Sequence, residues 1–82
     1  MGGEQYMNSK RRTELNEAIS IIKKVIVIVN KVCDNERDAV DNYPENLQGG
    51  DKFEAMEEAV ENLDDALEKI EEAKEHIEVA MK

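Results

Sequence analysis

Few side chains in this chain can do chemistry, and they are scattered. His76 is the only histidine. Glu72 precedes it by four residues, so on a helix the two share a face. A di-iron bundle builds its site from Glu-x-x-His pairs, and residue 73 is Ala, so the pair reads as solvated surface. Asp34, Glu36, Asp38 and Asp41 form an acidic cluster. The spacing Asp34-x-Glu36-x-Asp38 matches the first half of a calcium loop. Ala39 stands where that loop needs glycine, and the surrounding sequence is helical, so no metal is expected. Cys33 is the single cysteine, with no histidine close in sequence to activate it. It falls on an apolar stripe and reads as a core residue. A Gly-rich phosphate loop, a Ser/His/Asp set and a CxxC pair are all missing. The expectation is a non-enzyme without cofactor.

Lys10-Arg11-Arg12 is the one concentrated basic motif. It opens a helix, where free N–H groups and the helix dipole also attract anions. With Arg37, and with Tyr43 to stack a base, these residues form the expected anion-binding set, clamping a phosphate-bearing ligand between copies of the chain. The bland alternative is that Lys10, Arg11 and Arg12 pair with the acidic end of the second helix from Glu75 and Glu78 onward.

The elements that carry these residues are written in seven-residue repeats. Ala59, Ala66, Ala73 and Ala80 recur at that interval, and so do Met56, Leu63, Ile70 and Ile77. Phe53, Val60, Leu67, Lys74 and Met81 form a third line. Such a repeat fixes a helix that packs along its length against other helices. Upstream, Leu15, Ile19, Ile22, Ile26, Val29, Cys33, Val40 and Tyr43 fall on alternating four- and three-residue steps, broken only at Glu36. A second stripe of Ala18, Ile21, Val25, Ile28, Val32 and Ala39 runs beside it.

Val25-Ile26-Val27-Ile28-Val29 reads locally as a strand, because all five residues are β-branched. The heptad phase runs through it unbroken and no turn signal flanks it, so helix is expected. That helix is apolar around most of its circumference and needs more than one neighbour.

Asn8 or Ser9 can cap the first helix. Pro44 disfavours helical geometry at Tyr43. The spacing predicts a helix over residues 9–42, a connection over 43–51 and a helix over 52–81, preceded by a flexible start over 1–8. Asp51 and Glu54 have capping-box spacing. A short connection makes the helices antiparallel, with Lys31 near Asp64 and Asp65, and Lys23 and Lys24 near Glu71 and Glu72. The expected fold is all-α: one long antiparallel hairpin in 9–82 that assembles into a homo-oligomer, a dimeric four-helix bundle.

Composition agrees. The chain has 82 residues, 38% of them charged, and a net charge of −9. Residues 1–33 hold six basic groups against three acids, and residues 34–82 hold five against seventeen. An acidic chain is a poor nucleic-acid binder, with a local exception near its basic start. The longest apolar run, Val25 to Val29, is too short for a bilayer, which needs about 20 residues. The start Met1-Gly2 lacks the Ser or Thr at position 6 that myristoylation wants, since Tyr6 stands there. No secretion signal is visible, and the lone cysteine fits a reducing compartment, so a cytoplasmic protein is expected.

The stretch Asp41-Asn42-Tyr43-Pro44-Glu45-Asn46-Leu47-Gln48, with the heptads from Glu57-Glu58-Ala59-Val60-Glu61-Asn62-Leu63 after it, resembles a group of small phage and prophage proteins. They share a short basic start like Ser9-Lys10-Arg11-Arg12, a long helix and an Asp-Asn-x-Pro-Glu-x-Leu-Gln turn. The Val25–Val29 run departs from the group in being more apolar. The resemblance implies an accessory protein in the cytoplasm of an infected bacterial host. It would act by stoichiometric binding, as in counter-defence by sequestering an anionic signalling nucleotide. The alternative partner is a host protein, engaged by the acidic second helix as a nucleic-acid mimic or inhibitor; a structural coiled-coil element is the third reading.

Overall fold

Two long helices lie side by side in the computed structural model, which describes residues 7–82. Residues 1–6 lie outside the described part, so most of the expected flexible start, and Tyr6, are not addressed by it. Helix α1 spans Ser9–Asp41 and helix α2 spans Asp51–Ala80, joined through a single 3₁₀ turn at Glu45–Leu47. The Cα envelope measures 68 × 18 × 13 Å. Among the described residues the two helices lie side by side, with no further element above or below the pair. Among the described residues no helix is long and apolar enough to cross a membrane.

Helix α1 starts where a side chain can replace the missing intrahelical acceptors. Asn8 keeps extended backbone, and its Oδ1 accepts from the Arg11 N–H at 2.8 Å. The Val25–Val29 run is helical, as the uninterrupted heptad phase requires. The helix stops one residue before Asn42, whose backbone N–H returns to Asp38 O.

Pro44 holds its own φ at −57° with extended ψ, and the next three residues close the 3₁₀ turn. The Leu47 N–H reaches Pro44 O at 2.9 Å, and Gln48 Nε2 donates to Tyr43 O at 3.1 Å. Inside this turn the Tyr43 and Phe53 rings meet at 5.3 Å between centroids with a 43° tilt. That geometry suits aromatic quadrupoles and clips the two helix ends together.

One local expectation fails. Gly50, not Asp51, is the N-cap of α2, and no side chain caps it. Asp51 is already the first helical residue, so the capping box does not form. Asp51 and Glu54 lie in the first turn, where carboxylates are favoured by the dipole. Neither turn glycine adopts positive φ, and a Cβ on Gly49 would meet nothing within 4 Å.

The seam between the helices is built from the two large-residue stripes. Only Ile19, Cys33 and Phe53 are buried among the described residues, and Cys33 alone completely. The other seam positions are half-buried, including Leu63, Leu67 and Ile70. Lys74 holds a seam position with its side chain 18% exposed, its ammonium 3.8 Å from Glu71 and 3.9 Å from Glu78. Its methylene stem covers apolar surface while the charge reaches water.

Two substitutions probe the turn from opposite directions. Phe53→Ala removes the buried half of the aromatic clip and should cost about 3 kcal/mol in chemical denaturation. Gly49→Ala should raise stability by about 0.4–1 kcal/mol, because it restricts the unfolded chain and meets no clash. A destabilised Gly49→Ala protein would show that the turn needs glycine after all.

Candidate functional site

The five residues expected to hold an anion fall into two groups at different heights on α1. Lys10, Arg11 and Arg12 sit in its first turn. The Arg12 guanidinium folds back onto Met7 O, with Nη2 at 2.6 Å and Nε at 3.0 Å. Lys10 and Arg11 are exposed. Arg37 lies 25 residues further on, about 38 Å along the helix at 1.5 Å per residue. Tyr43 lies beyond it, packed on Phe53. One chain therefore does not gather the five into a single pocket.

Lys10, Arg11 and Arg12 make no ion pair with Glu75 or Glu78 among the described residues. The register gives the reason. Cys33 lies against Val60 and Asp64. Carrying that alignment away from the turn sets Ala80 level with Leu15. The basic triplet projects past the end of α2, while Glu78 is taken up by Lys74.

The best-built polar arrangement is one the sequence reading assigned only in part. Arg37 Nη2 donates to both Asp64 carboxylate oxygens at 2.9 and 2.8 Å, and its Nη1 lies 3.3 Å from Asp34 Oδ1. Cys33, 1% exposed, aims its thiol at Asp64 Oδ1 at 3.4 Å. The Arg37 hydrogen bond, with that of Cys33, holds the Asp64 carboxyl below its ordinary value. Burial, and then the hydrogen bond and negative charge of Asp64, push the Cys33 thiol up. Arg37 is held further in its charged form, chiefly by its bond to Asp64. The thiol stays protonated and sits against a carboxylate, which is the opposite of nucleophile activation.

This corrects the pairing expected across the hairpin. Asp64 takes Arg37 as its partner, not Lys31, and Lys23 and Lys24 make no pair with Glu71 or Glu72. Lys31 lies two residues before Cys33, about 200° around the helix, and so points away from α2. Lys24 stands in the same relation to Ile22 and Ile26. Arg37 and Asp64 were findable: each lies four residues after a seam residue, Cys33 and Val60, on the flanks that face one another.

A cleft of about 310 Å³ opens beside this cluster, lined by Arg37, Val40, Glu57, Val60 and Glu61. Two carboxylates and an arginine already bound to Asp64 make it a poor seat for phosphate. A second, shallower depression of about 410 Å³ lies on α1 between Lys23, Lys24, Val27 and Ile28. Among the described residues no three metal-ligating side chains converge; His76 and Glu72 are exposed.

An apolar line is exposed on α1. Ile21, Val25, Ile28 and Val32 are 55, 38, 62 and 50% exposed. They follow four- and three-residue steps and form one continuous line on α1. The seam leaves this second stripe uncovered within one chain. Comparison with known proteins finds no matching family, characterised protein or solved structure.

The Arg37–Asp64–Cys33 cluster sets a pH window. Asp64 is depressed in the fold, so its contribution is complete above its ordinary value of 3.8 and is lost as pH falls below that. Cys33 is raised, so its contribution is complete below 9.0 and is lost as pH rises through the elevated value. Acid also relieves repulsion among the other carboxylates, so the informative quantity is a difference between proteins. The wild-type advantage over Asp64→Asn in denaturation midpoint should be present at pH 7 and shrink below about pH 4. An equal advantage at pH 2.5 and pH 7 would remove the carboxylate from this role.

Proposed function

We propose that this chain is a non-catalytic protein that acts by stoichiometric binding as a homo-oligomer, with its binding surfaces formed where copies meet. The observation that carries this reading is the exposed line of Ile21, Val25, Ile28 and Val32. Four large aliphatic side chains in a row, beside a seam with three buried residues, support assembly over this face. They are about half exposed, so completing the burial of each gains half of the ~1.5–3 kcal/mol for a full side chain, before the cost of association. The Arg37–Asp64–Cys33 cluster supports the non-catalytic reading, since it ties up the one thiol and the one interhelical arginine.

The ligand class is an anionic small molecule, such as a signalling nucleotide. Lys10, Arg11 and Arg12 support it by standing clear of α2 at a helix start, where the dipole gives those cations no help of their own. Arg37 and Tyr43 fit this role less well, because Asp64 and Phe53 occupy them. The resemblance of the turn to phage proteins agrees with an accessory, counter-defence role in the cytoplasm of an infected bacterium. A second reading has its own observation: Glu58, Glu61, Asp65, Glu68, Glu72 and Glu75 are all exposed on α2. That carboxylate surface suits a basic groove on a host protein.

Two measurements separate these readings. Helicity by circular dichroism should fall on dilution from micromolar to nanomolar, and a folded nanomolar monomer would end the assembly reading. Cyclic nucleotides at millimolar concentration should raise the thermal midpoint, and an Arg11→Ala/Arg12→Ala variant should lose that rise. No shift with any nucleotide, together with capture of one host protein lost on neutralising Glu68, Glu71 and Glu75, would replace the anion reading by the second.

A further inference from the structure

The hairpin has two unlike flanks, and the observed ion pair says which is which. Arg37 and Asp64 meet across the seam, so residues four after the Ile19, Ile26 and Cys33 line of α1, and four after the Phe53, Val60 and Leu67 line of α2, lie on one flank. Residues one before those two lines then lie on the other. On α1 these are Val25 and Val32, with Ile21 and Ile28 beside them. On α2 they are Ala59, Ala66, Ala73 and Ala80. Both lines therefore share one side of the hairpin: large residues on α1, small residues on α2, with the charged pair on the far side.

The geometry points to a second copy of this chain as the occupant of that side, related by a two-fold axis parallel to the helices, so that α1 of each copy lies over α2 of the other. This rests on the self-assembly reading above and adds its geometry. Shape is the first argument. In this arrangement the large stripe of α1 meets the alanine line of α2, and the layers keep one spacing. The other two-fold arrangement stacks α1 on α1 and α2 on α2. It sets Ile and Val against Ile and Val at one edge and Ala against Ala at the other, leaving a wedge.

Charge is the second argument. Lys24 and Lys31 border the apolar stripe of α1 on its outer side, and both are exposed. Glu58, Asp65 and Glu72 hold the same azimuth on α2, outside Asn62, Lys69 and His76, which flank the alanine line directly. A parallel two-fold axis keeps both copies at the same height. The register that sets Ala80 level with Leu15 then brings Lys24 level with Glu72, and Lys31 level with Asp65, of the second copy. The same register sets Ile21 near Ala73 and Ile28 near Ala66. Lys24 and Lys31, which pair with no carboxylate among the described residues, thus meet carboxylates between chains, as part of an isologous interface.

This arrangement also orders the two ends. Both turns lie at one end of the bundle, and both Lys10-Arg11-Arg12 triplets lie at the other. An anion held between copies then meets two triplets, while Arg37 and Tyr43 remain at the opposite end. The α1-on-α1 arrangement would separate the triplets by the length of the bundle.

Charge reversal tests the pairing directly, because the four side chains are exposed and their replacement leaves the seam intact. One variant carries Lys24→Glu and Lys31→Glu; the other carries Asp65→Lys and Glu72→Lys. Each alone places like charges opposite one another, and its homodimer should dissociate about tenfold more readily than wild type by sedimentation equilibrium at low salt. An equimolar mixture restores opposite charges at both α1–α2 contacts and should form a 1:1 heterodimer of at least wild-type affinity. Circular dichroism at high protein concentration checks that each variant keeps its helices. Wild-type self-association with no weakening in either variant, or with no recovery on mixing, overturns this geometry and leaves self-assembly standing. A wild-type monomer at millimolar concentration overturns both.

Discussion

Two helices side by side can each hide only one stripe, and this sequence writes two stripes on α1. Every other feature follows from that mismatch. The seam buries Ile19, Cys33 and Phe53 and leaves its remaining positions half-covered. The stripe from Ile21 to Val32 stays in solvent within one chain. Hydrophobic stabilisation scales with apolar area removed from water, and one hairpin leaves that stripe's area unused. Helix propensity does not close the gap, since helices in proteins owe most of their stability to packing of an apolar face.

The polar residues act within this frame as selectors more than as stabilisers. Arg37 reaches Asp64 from one flank only, and its single nitrogen Nη2 donates to both carboxylate oxygens there, which favours that side of α1 facing α2. Cys33 lies beneath that contact and is kept protonated by its burial, with the hydrogen bond and negative charge of Asp64 adding to it. Lys74 sits where the repeat calls for an apolar residue, and its two glutamates hold its charge at the edge. Both ends of α1 run against its own dipole: no acid stands in the first turn and no base in the last. Local preference is overridden there, and such conflicts concentrate where a chain is shaped for a partner.

Much of this was legible from residue types and spacing. Pro44 marks the end of α1 because its ring excludes helical geometry in the residue before it. Asn8 marks the start because its side chain reaches the third N–H after it. The Val25–Val29 run is helical because its phase matches the heptads on both sides, whatever its β propensity. The errors have a common origin. The Asp51 capping box and the Lys31 pairing with Asp64 were both inferred from distance along the chain. The N-cap depends on backbone dihedrals around Gly50, and those are set by the 3₁₀ turn before it. The ion pair depends on azimuth around the helix, where Lys31 and Arg37 differ by more than a right angle. The proposed ligand set was drawn from residue type and placed between copies of the chain; within one chain its two groups stand far apart. A 1.5 Å rise per residue separates Arg12 from Arg37 by about 38 Å, which no rotamer can bridge.

Azimuth also gives the alanine line its meaning. As a feature of α2 alone, Ala59, Ala66, Ala73 and Ala80 are small residues beside a seam. Placed on the same side as Ile21, Val25, Ile28 and Val32, they become the shallow half of a surface whose raised half is on α1. A raised edge and a shallow edge on one face fit a rotated copy of themselves, since rotation about the long axis exchanges the two. Neither half favours self-association in that way when taken alone. On the proposed assembly, the repeat that builds the hairpin would also specify the shape of what covers it, and the basic turn at the start of α1 would gain its neighbours through that cover.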